Sequence, residues 1–270
     1  VSFKIELVIG KDASTDGTLA VCERYQEQNP EIIRVLKTTQ NLGIAGNAAR
    51  TLQQCRGKYI AICDGDDIWT DPNKLQSQVD FLEQHPDYGM SYTDFHNISD
   101  KGEPFIDPEQ ENDPFRYAEG DIFIRLLHGN FITNSTAVFR RQLLEDFVID
   151  TDRNYYIHDF FMWLHISLRS KAHFLPYSTT AYRRHPGGVT NSSEKTRQNI
   201  LKYQHELFHL LHDFSRLNTK PLNHFEKIVI YRKLLSLFYR KGGNWKMKLQ
   251  ILPLLFKYFP GFSGLWTMFA

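Results

Sequence analysis

Apolar residues in the first part of the chain form short runs, and the segments between them show the spacing of amphipathic helices. The runs occupy residues 6–10, 32–36 and 58–63, and helices are predicted at residues 19–28 and up to Leu52. Strands that alternate with helices are typical of a parallel, doubly wound α/β sheet. Ligands of such sheets bind beyond the carboxyl ends of the strands. The residues that follow each run are therefore the first candidates for chemistry.

Carboxylates follow the first and the third of these runs. Asp12 comes after the first run, and Asp64, Asp66 and Asp67 lie within four residues after the third. Such carboxylates repel one another unless a cation lies among them, and Mg²⁺ commonly takes one or two carboxylates together with substrate phosphates. A solvated acidic turn that caps the helix after Asp71 is the alternative, and the spacing alone leaves both open. Asp12, at the same sheet edge, could accept a hydrogen bond from a nucleobase N–H or a ribose hydroxyl.

The second half of the chain is predicted to add strands and helices around the same edge. The pattern indicates strands at residues 91–95 and 137–139, a short helix at 121–128 and a Pro- and acid-rich loop at 102–119. The pair His158-Asp159 begins another helix, in which the residues at helical spacing are Phe160, Trp163, Leu164 and Ser167. We expect the aromatic side chains of this helix in the core and Asp159 at the cleft.

Five motifs in this order resemble those of glycosyltransferases of family 2, which have the GT-A fold. The motifs are ELVIGKDASTDGT, NLGIAGNAAR, GKYIAICDGDDIW, HDFFMWL and YRRHPGGVT. The similarity covers about residues 4–190. It implies a Rossmann-like α/β domain over residues 1–190, with a mixed sheet flanked by helices, and a basic, helical C-terminal region over residues 191–270. Relatives begin with a further apolar strand, and we expect this first strand to be missing here because Val1 directly precedes the second.

The resemblance also implies roles on the donor side of the site. Asp12 would recognise the base, while Asp64 and Asp66 would contact the ribose and hold Mn²⁺ or Mg²⁺ with the diphosphate. The segment that would meet the diphosphate consists of Arg183, Arg184 and His185. Asp159 would be the catalytic base.

The acceptor side is defined less sharply by the sequence. His158 stands where many relatives have Glu before the catalytic Asp, which suggests a role in tuning or orienting that carboxylate. The other acceptor-side candidates are Asp67, Thr133 and Asn134. Ordinary hydrogen bonding within a loop is the alternative for Thr133 and Asn134.

The function that follows from the resemblance is that of a metal-dependent, inverting hexosyltransferase. It would move a sugar from a nucleotide-sugar, with UDP-hexose the first expectation because of Asp12, to a hydroxyl of a glycan or lipid-linked acceptor. The setting implied is the synthesis of bacterial surface polysaccharide or lipooligosaccharide. A sugar nucleotidyltransferase is an alternative, but it needs a Gly-rich, basic phosphate loop that is not visible here. A non-catalytic carbohydrate-binding module would not need Asp159 together with the acidic cluster.

Composition excludes few classes of protein but narrows the choice of partners. The chain has 270 residues, of which 41% are hydrophobic and 23% charged, as in ordinary globular proteins. A net charge of +1 gives no case for nucleic-acid binding. The three cysteines Cys22, Cys55 and Cys63 lack CxxC spacing, which argues against a zinc site or a disulfide framework.

Positive charge is concentrated at the end of the chain. Residues 220–270 contain nine Lys or Arg and the single acid Glu226, a net charge of +8, which leaves −7 for the first 219 residues. An apolar stripe at helical spacing accompanies these cations: Ile228, Tyr231, Leu235 and Phe238. Pro253 and Pro260 interrupt the last apolar stretch, which argues against a spanning helix. We expect a cytoplasmic protein bound peripherally to the inner, anionic face of a membrane, and packing of the stripe onto the catalytic domain or a second subunit is the alternative.

Overall fold

The computed structural model describes residues 1–113, 116–149, 151, 158–185, 200–218, 221–239 and 245–259. The strands are β1 Leu7–Gly10, β2 Ile33–Leu36, β3 Tyr59–Ala61, β4 Ile68–Trp69, β5 Tyr88–Ile98, β6 Pro104–Phe105, β7 Val138–Arg140 and β8 Lys171–Arg183. The helices are α1 Thr18–Gln28, α2 Gly43–Gln54, α3 Lys74–Gln84, α4 Pro108–Glu111, α5 Phe123–Leu126, α6 His158–Ser167, α7 Ile200–Leu217, α8 His224–Tyr239 and α9 Trp245–Lys257.

The strands form two sheets rather than one continuous parallel sheet. β1 and β2 pair in parallel, with Leu7 opposite Ile33 and Gly10 opposite Leu36. The larger sheet has the order β3-β7-β5-β8-β4, with β6 paired to β5. Within it β5 and β8 are parallel, whereas β3 pairs antiparallel with β7 and β4 antiparallel with β8. The alternation of strands and helices is as predicted, and the mixed sheet is the one that the resemblance implied.

A cleft of about 2310 Å³ separates the two sheets. Leu7 and Ile9 of β1 line one side, and Ile60 and Ile62 line the other. In the described ranges β1 pairs only with β2 and β3 only with β7, so each strand leaves one edge without a partner strand. The expected first strand would complete a single sheet if it lay between them, and its existence stays a prediction.

The middle of the chain follows the sequence pattern with local differences. The strand predicted at residues 91–95 extends over the whole of β5, and the short helix at 121–128 is reduced to α5. The segment predicted as a loop at 102–119 contains β6 and the single-turn helix α4. β6 pairs with the end of β5, and Asp107 and Gln110 of the same segment line the cleft.

Helix α6 is the centre of the core, as its apolar spacing predicted. Phe161, Trp163 and Leu164 are all buried, and the Trp163 ring meets Phe139 of β7 edge-on at 5.7 Å between centroids. Truncation of a buried aromatic side chain to Ala typically costs about 3–5 kcal/mol. This packing holds the first turn of α6, and therefore Asp159, in a fixed position at the cleft.

The C-terminal helices pack into the same core. Phe214 of α7 stacks on Phe123 of α5, with 4.7 Å between ring centroids. Helix α8 begins with a capping box, because Asn223 and Glu226 each accept the backbone N–H of the other at 2.9 Å. In the apolar stripe predicted on this helix, Ile228 is buried and Phe238 packs against the core. This part of the stripe therefore faces inward, which agrees with the alternative that the stripe packs onto the catalytic domain. Among the described residues, no helix is long and apolar enough to cross a membrane.

Candidate functional site

The buried hydroxyl of Ser135 makes two hydrogen bonds to the acidic turn after β3. Ser135 Oγ accepts the backbone N–H of Asp64 at 3.0 Å and donates to Asp67 Oδ2 at 2.5 Å. The backbone N–H of Arg183 donates to the other oxygen of Asp67 at 3.0 Å. Asp64 and Asp66 line the cleft, but Asp67 does not. In this structure the Asp67 carboxylate ties the acidic turn to β8, and an acceptor-side role for Asp67 stays a prediction.

Ser135 connects three distant parts of the chain. Its carbonyl oxygen accepts the indole N–H of Trp69 at 2.8 Å and the hydroxyl of Thr180 at 3.0 Å. Because its side chain also binds the acidic turn, the positions of β4, β8 and Asp64 all depend on one residue. No pattern in the sequence indicates this role, since a serine in a polar segment has no distinctive spacing.

The basic segment at the end of β8 lies against the acidic turn, and its contact with a diphosphate stays a prediction. His185 Nε2 is 3.1 Å from Asp66 Oδ2, and the Arg183 guanidinium donates to the carbonyl oxygen of Asp66 at 2.9 Å. Arg183 also donates to the carbonyl oxygens of Ser99 and Asp100 at 3.1 and 3.2 Å. Arg183 thus braces the site through backbone oxygens, whereas His185 reaches the Asp66 carboxylate itself.

Arg184 points to a different neighbour. Its guanidinium donates to Asp107 Oδ2 at 2.5 Å, and both side chains line the cleft. Sequence analysis did not identify Arg116, a second arginine that lines the cleft. Its side chain is largely buried and forms an ion pair with Asp94 at 2.8 Å. No motif marks Arg116, which lies in the acid-rich segment predicted as a loop.

Asp159 enters the cleft from the first turn of α6. Asn130 donates its side-chain N–H to Asp159 Oδ2 at 3.1 Å. Burial raises the pKa of Asp159, and the neighbouring His158 and the Asn130 hydrogen bond partly oppose this rise. His158 is itself buried, and burial lowers its pKa. Its Nδ1 has no hydrogen-bond partner in the described part of the chain.

The carboxylates of the two clusters influence one another across the cleft. Burial, and then the negative charges of Asp67, Asp159 and Asp66, raise the pKa of Asp64 to about 7. A hydrogen bond from the side chain of Asn134 lowers it. Asp64 therefore holds a proton over part of the neutral range when no cation is present. A divalent cation would favour the charged form.

The two residues predicted near the acceptor both line the cleft. Asn134 contacts Asp64 through its side chain, so it lies on the donor-side carboxylate. The carbonyl oxygen of Thr133 accepts the Thr136 hydroxyl at 2.7 Å, which is the loop hydrogen bonding considered as the alternative. A contact of either residue with an acceptor stays a prediction.

Asp12 occupies a different place from the other candidates. Its two carboxylate oxygens accept the backbone N–H groups of Leu42 and Gly43, at 2.7 and 2.9 Å, at the start of α2. A carboxylate at a helix N-terminus is stabilised by these otherwise unpaired donors. Asp12 does not line the cleft, so its role in base recognition stays a prediction. In that role a base N–H would share the Asp12 oxygens with the backbone N–H groups of Leu42 and Gly43.

The donor set of the site suits a hard or borderline divalent cation. Asp66 and His185 converge at 3.1 Å, and the charge of Asp66 contributes to the raised pKa of Asp64. Carboxylate and imidazole groups are ligands of Mn²⁺, and Mg²⁺ sites commonly combine few carboxylates with phosphate oxygens. Within the described ranges there is no cluster of three or more His, Cys, Asp or Glu side chains arranged around a metal position. The residues fit a cation that shares its coordination with a bound diphosphate.

Sequence comparison identifies the family. Residues 2–148 match glycosyl transferase family 2, which is more than half of the chain. The chain therefore belongs to glycosyl transferase family 2.

The relatives cover different parts of the chain. An uncharacterized protein of Mycobacterium tuberculosis is 31% identical over 196 residues, which are 73% of this chain and 55% of the relative. The chain thus spans about half the length of the first curated relatives it matches. The putative teichuronic acid biosynthesis glycosyltransferase TuaG of Bacillus subtilis is 32% identical over 99 residues, 37% of this chain and 38% of TuaG.

Solved structures share the fold at low sequence identity. Staphylococcus aureus TarS 1–349 in complex with UDP aligns with a TM-score of 0.55 and 15% identity, covering 89% of this chain and 65% of TarS 1–349. The mannosyltransferase PcManGT from Pyrobaculum calidifontis, in complex with GDP-Man and Mn²⁺, aligns with a TM-score of 0.54 and 19% identity, covering 92% and 65%. The GT-A fold predicted from the sequence is therefore confirmed.

Proposed function

We propose that this chain carries the catalytic site of an inverting glycosyltransferase that transfers a hexose from a UDP-sugar to a hydroxyl group. The observation that carries the proposal is the shared cleft of Asp64, Asp66 and Asp159. Asp159 is close enough to Asp64 for its charge to raise the pKa of Asp64. Asp64 and Asp66 could therefore hold a cation beside the leaving diphosphate, while Asp159 meets the attacking hydroxyl.

Asp159 is the proposed general base. A buried carboxylate with a raised pKa takes a proton more readily than an exposed one, and a base works best when its pKa is near the operating pH. The Asn130 side chain holds one oxygen of Asp159, and Asp159 lines the cleft that the acceptor hydroxyl would enter. A single displacement with one base inverts the anomeric configuration, whereas a retaining enzyme needs a nucleophile.

Asp66, His185 and Asp64 are the residues that would hold Mn²⁺ or Mg²⁺. The bound cation would supply positive charge beside the diphosphate as negative charge develops on it. Arg184 and His185 would add donors on the same wall. The Mn²⁺ bound in the PcManGT complex supports this assignment.

Two further parts of the proposal rest on relatives. UDP as the nucleotide is supported by the TarS complex, which contains UDP, although GDP-Man in PcManGT shows that the fold also takes guanine donors. A surface polysaccharide or lipid-linked glycan as acceptor is supported by the name of TuaG. The sugar and the linkage are open to experiment.

The test is release of nucleoside diphosphate from a panel of UDP-, GDP- and dTDP-sugars, with and without Mn²⁺. We expect UDP release that requires Mn²⁺ and that falls by about 10²–10⁴-fold in Asp159→Asn, because this variant cannot accept a proton. The Asp159→Asn variant should bind the donor as well as wild type does. A sugar nucleotidyltransferase would instead release pyrophosphate from a nucleoside triphosphate, and a binding module would release nothing; either result overturns the proposal.

A further inference from the structure

Helix α9 has two apolar faces, and only one of them is buried. On the inner face, Ile251, Leu254 and Tyr258, just past the end of α9, pack in the core. The outer face has four large side chains with exposed fractions of 66% for Trp245, 55% for Leu249, 36% for Leu252 and 82% for Phe256. Their spacing of four, three and four residues places them on one side of the helix. We call these four residues the α9 stripe.

The α9 stripe is more than a chance exposure of apolar groups. Scattered surface hydrophobics are normal, but a contiguous apolar patch on a folded protein marks a site of association. At 1.5 Å per residue the stripe extends over about 16 Å of helix. Because Ile251 and Leu254 fix the inner face in the core, α9 cannot rotate to bury the stripe.

Cations flank the α9 stripe, and no acid lies on the helix. Helical spacing puts Lys248 on one side of the stripe and Lys257 on the other. The Lys257 ammonium is held by Ser215, at 2.6 Å from its carbonyl oxygen and 2.9 Å from its hydroxyl.

We propose that the α9 stripe docks this protein on an anionic lipid bilayer, with α9 lying in the plane of the interface. Interfacial helices bury an apolar, aromatic face at the headgroup boundary while lysines beside it meet lipid phosphates. The four side chains of the stripe are exposed on one side of α9, which suits a lipid surface. No described helix could span the membrane instead. The proposal goes beyond the proposed function and does not depend on it.

A second copy of the chain is the competing partner, and the charges disfavour it. A twofold contact through the stripe would place the same patch of both copies face to face. The α9 surfaces brought together would then carry lysines from both copies and no acid. Like charges juxtaposed across an interface oppose association, whereas an anionic bilayer complements both lysines.

The test is co-sedimentation of the full chain with vesicles of phosphatidylcholine and phosphatidylglycerol in equal parts, compared with phosphatidylcholine alone. We expect binding to the anionic vesicles that weakens at high salt, since the Debye length shortens. Trp245→Ser combined with Phe256→Ser should reduce the bound fraction by about tenfold or more, because apolar burial drives insertion. Val148→Ser is the matched control, since Val148 is 84% exposed and lies outside both α9 and the cleft.

Each outcome decides the proposal. The double variant should unfold at the wild-type temperature, because both side chains are exposed, and the control should bind like wild type. Wild-type protein that fails to bind anionic vesicles overturns the proposal, as does a double variant that binds unchanged. A wild-type dimer that the double variant converts to a monomer, with vesicle binding unaffected, would assign the stripe to self-association. UDP release with a soluble acceptor is measured separately, so loss of docking is distinguishable from loss of catalysis.

Discussion

Asn130 and Asp159 are joined by a hydrogen bond of 3.1 Å between the amide nitrogen and one carboxylate oxygen. Asn130 lies in the segment before β7, and Asp159 lies in the first turn of α6. The amide can only donate to this carboxylate, so it stabilises the charged form against the burial that raises the pKa of Asp159. Asn130 thereby opposes the rise in the pKa of the proposed base, together with His158 and the backbone N–H of Phe160.

The first prediction concerns this hydrogen bond. Asn130→Ala should raise the pKa of Asp159 further, because burial is then less opposed. The acidic limb of the pH–rate profile should move upward by about one pH unit, since a hydrogen bond to a charged group contributes about 1.5–3 kcal/mol and one pKa unit is about 1.4 kcal/mol. Asn112→Ala is the control, because Asn112 does not line the cleft. An unmoved acidic limb would show that Asn130 only shapes the loop.

The second prediction concerns the competition between protons and a metal at Asp64. Its pKa of about 7 in the metal-free site means that protonation increases as the pH falls below 7. A cation must displace this proton, so the affinity for Mn²⁺ in the presence of UDP should fall by up to about tenfold per pH unit below 7 and level off above it. Calorimetry at pH 6 and pH 8 measures the difference.

Two variants separate this effect from a general change in charge. Asp64→Asn should weaken Mn²⁺ binding and remove its pH dependence, and Asp66→Ala should abolish metal-dependent donor binding while the fold is retained. Asp87→Asn is the control, since Asp87 is paired with Lys171 and does not line the cleft. Unchanged UDP and Mn²⁺ affinity in Asp66→Ala would refute the assignment of Asp66 as a ligand.

The third prediction concerns the hydroxyl of Ser135. Ser135→Ala leaves Asp67 Oδ2 without this donor and the backbone N–H of Asp64 without its acceptor. Leaving buried polar groups unsatisfied costs about 1–3 kcal/mol each, so the free energy of unfolding in urea should fall by about that amount and UDP binding should weaken. Ser167→Ala is the control, because Ser167 is also buried but its hydroxyl bonds only within α6. Equal loss of donor binding in both variants would contradict a specific role for Ser135.

The fourth prediction concerns Lys74, which is buried with its ammonium bound to Gln78 Oε1 at 2.7 Å and to the carbonyl oxygen of Thr136 at 2.8 Å. Burial lowers the pKa of Lys74 from 10.5 to about 7. Between these values the unfolded chain binds a proton that the folded protein does not, so folded stability falls as the pH falls from 10.5 toward 7 and is constant below. The slope is about 1.4 kcal/mol per pH unit within the window.

Lys74→Met tests this linkage without leaving a large cavity. The free energy of unfolding is measured in urea on both proteins between pH 7.5 and 9.5, which is about two units of the window. Its slope against pH should be smaller in the variant. A difference between the two proteins that stays constant with pH would mean that Lys74 is charged throughout. In that case the hydrogen bonds to Gln78 and Thr136 outweigh burial.

Sequence pattern located the acid-bearing turns because they depend on local chemistry. The apolar run before Asp64 and the helix after Asp159 are short-range patterns, and both elements appear at the predicted places. The motif order was enough to predict the family and the GT-A fold. The inward orientation of the α6 aromatics followed from helical spacing in the same way.

The sequence by itself determined the family, the order of strands and helices, and the set of acids from which a site could be built. Only the tertiary structure decided which of those acids meet. In the folded protein, Asp67 accepts a hydrogen bond from Ser135, Asp12 accepts backbone N–H groups at the start of α2, and Asn130 donates to Asp159. The physical reason is that strand pairing such as that of β3 with β7 joins segments far apart in the chain. Local periodicity records which residues can be buried, but the partner of a polar side chain depends on which distant segment packs beside it.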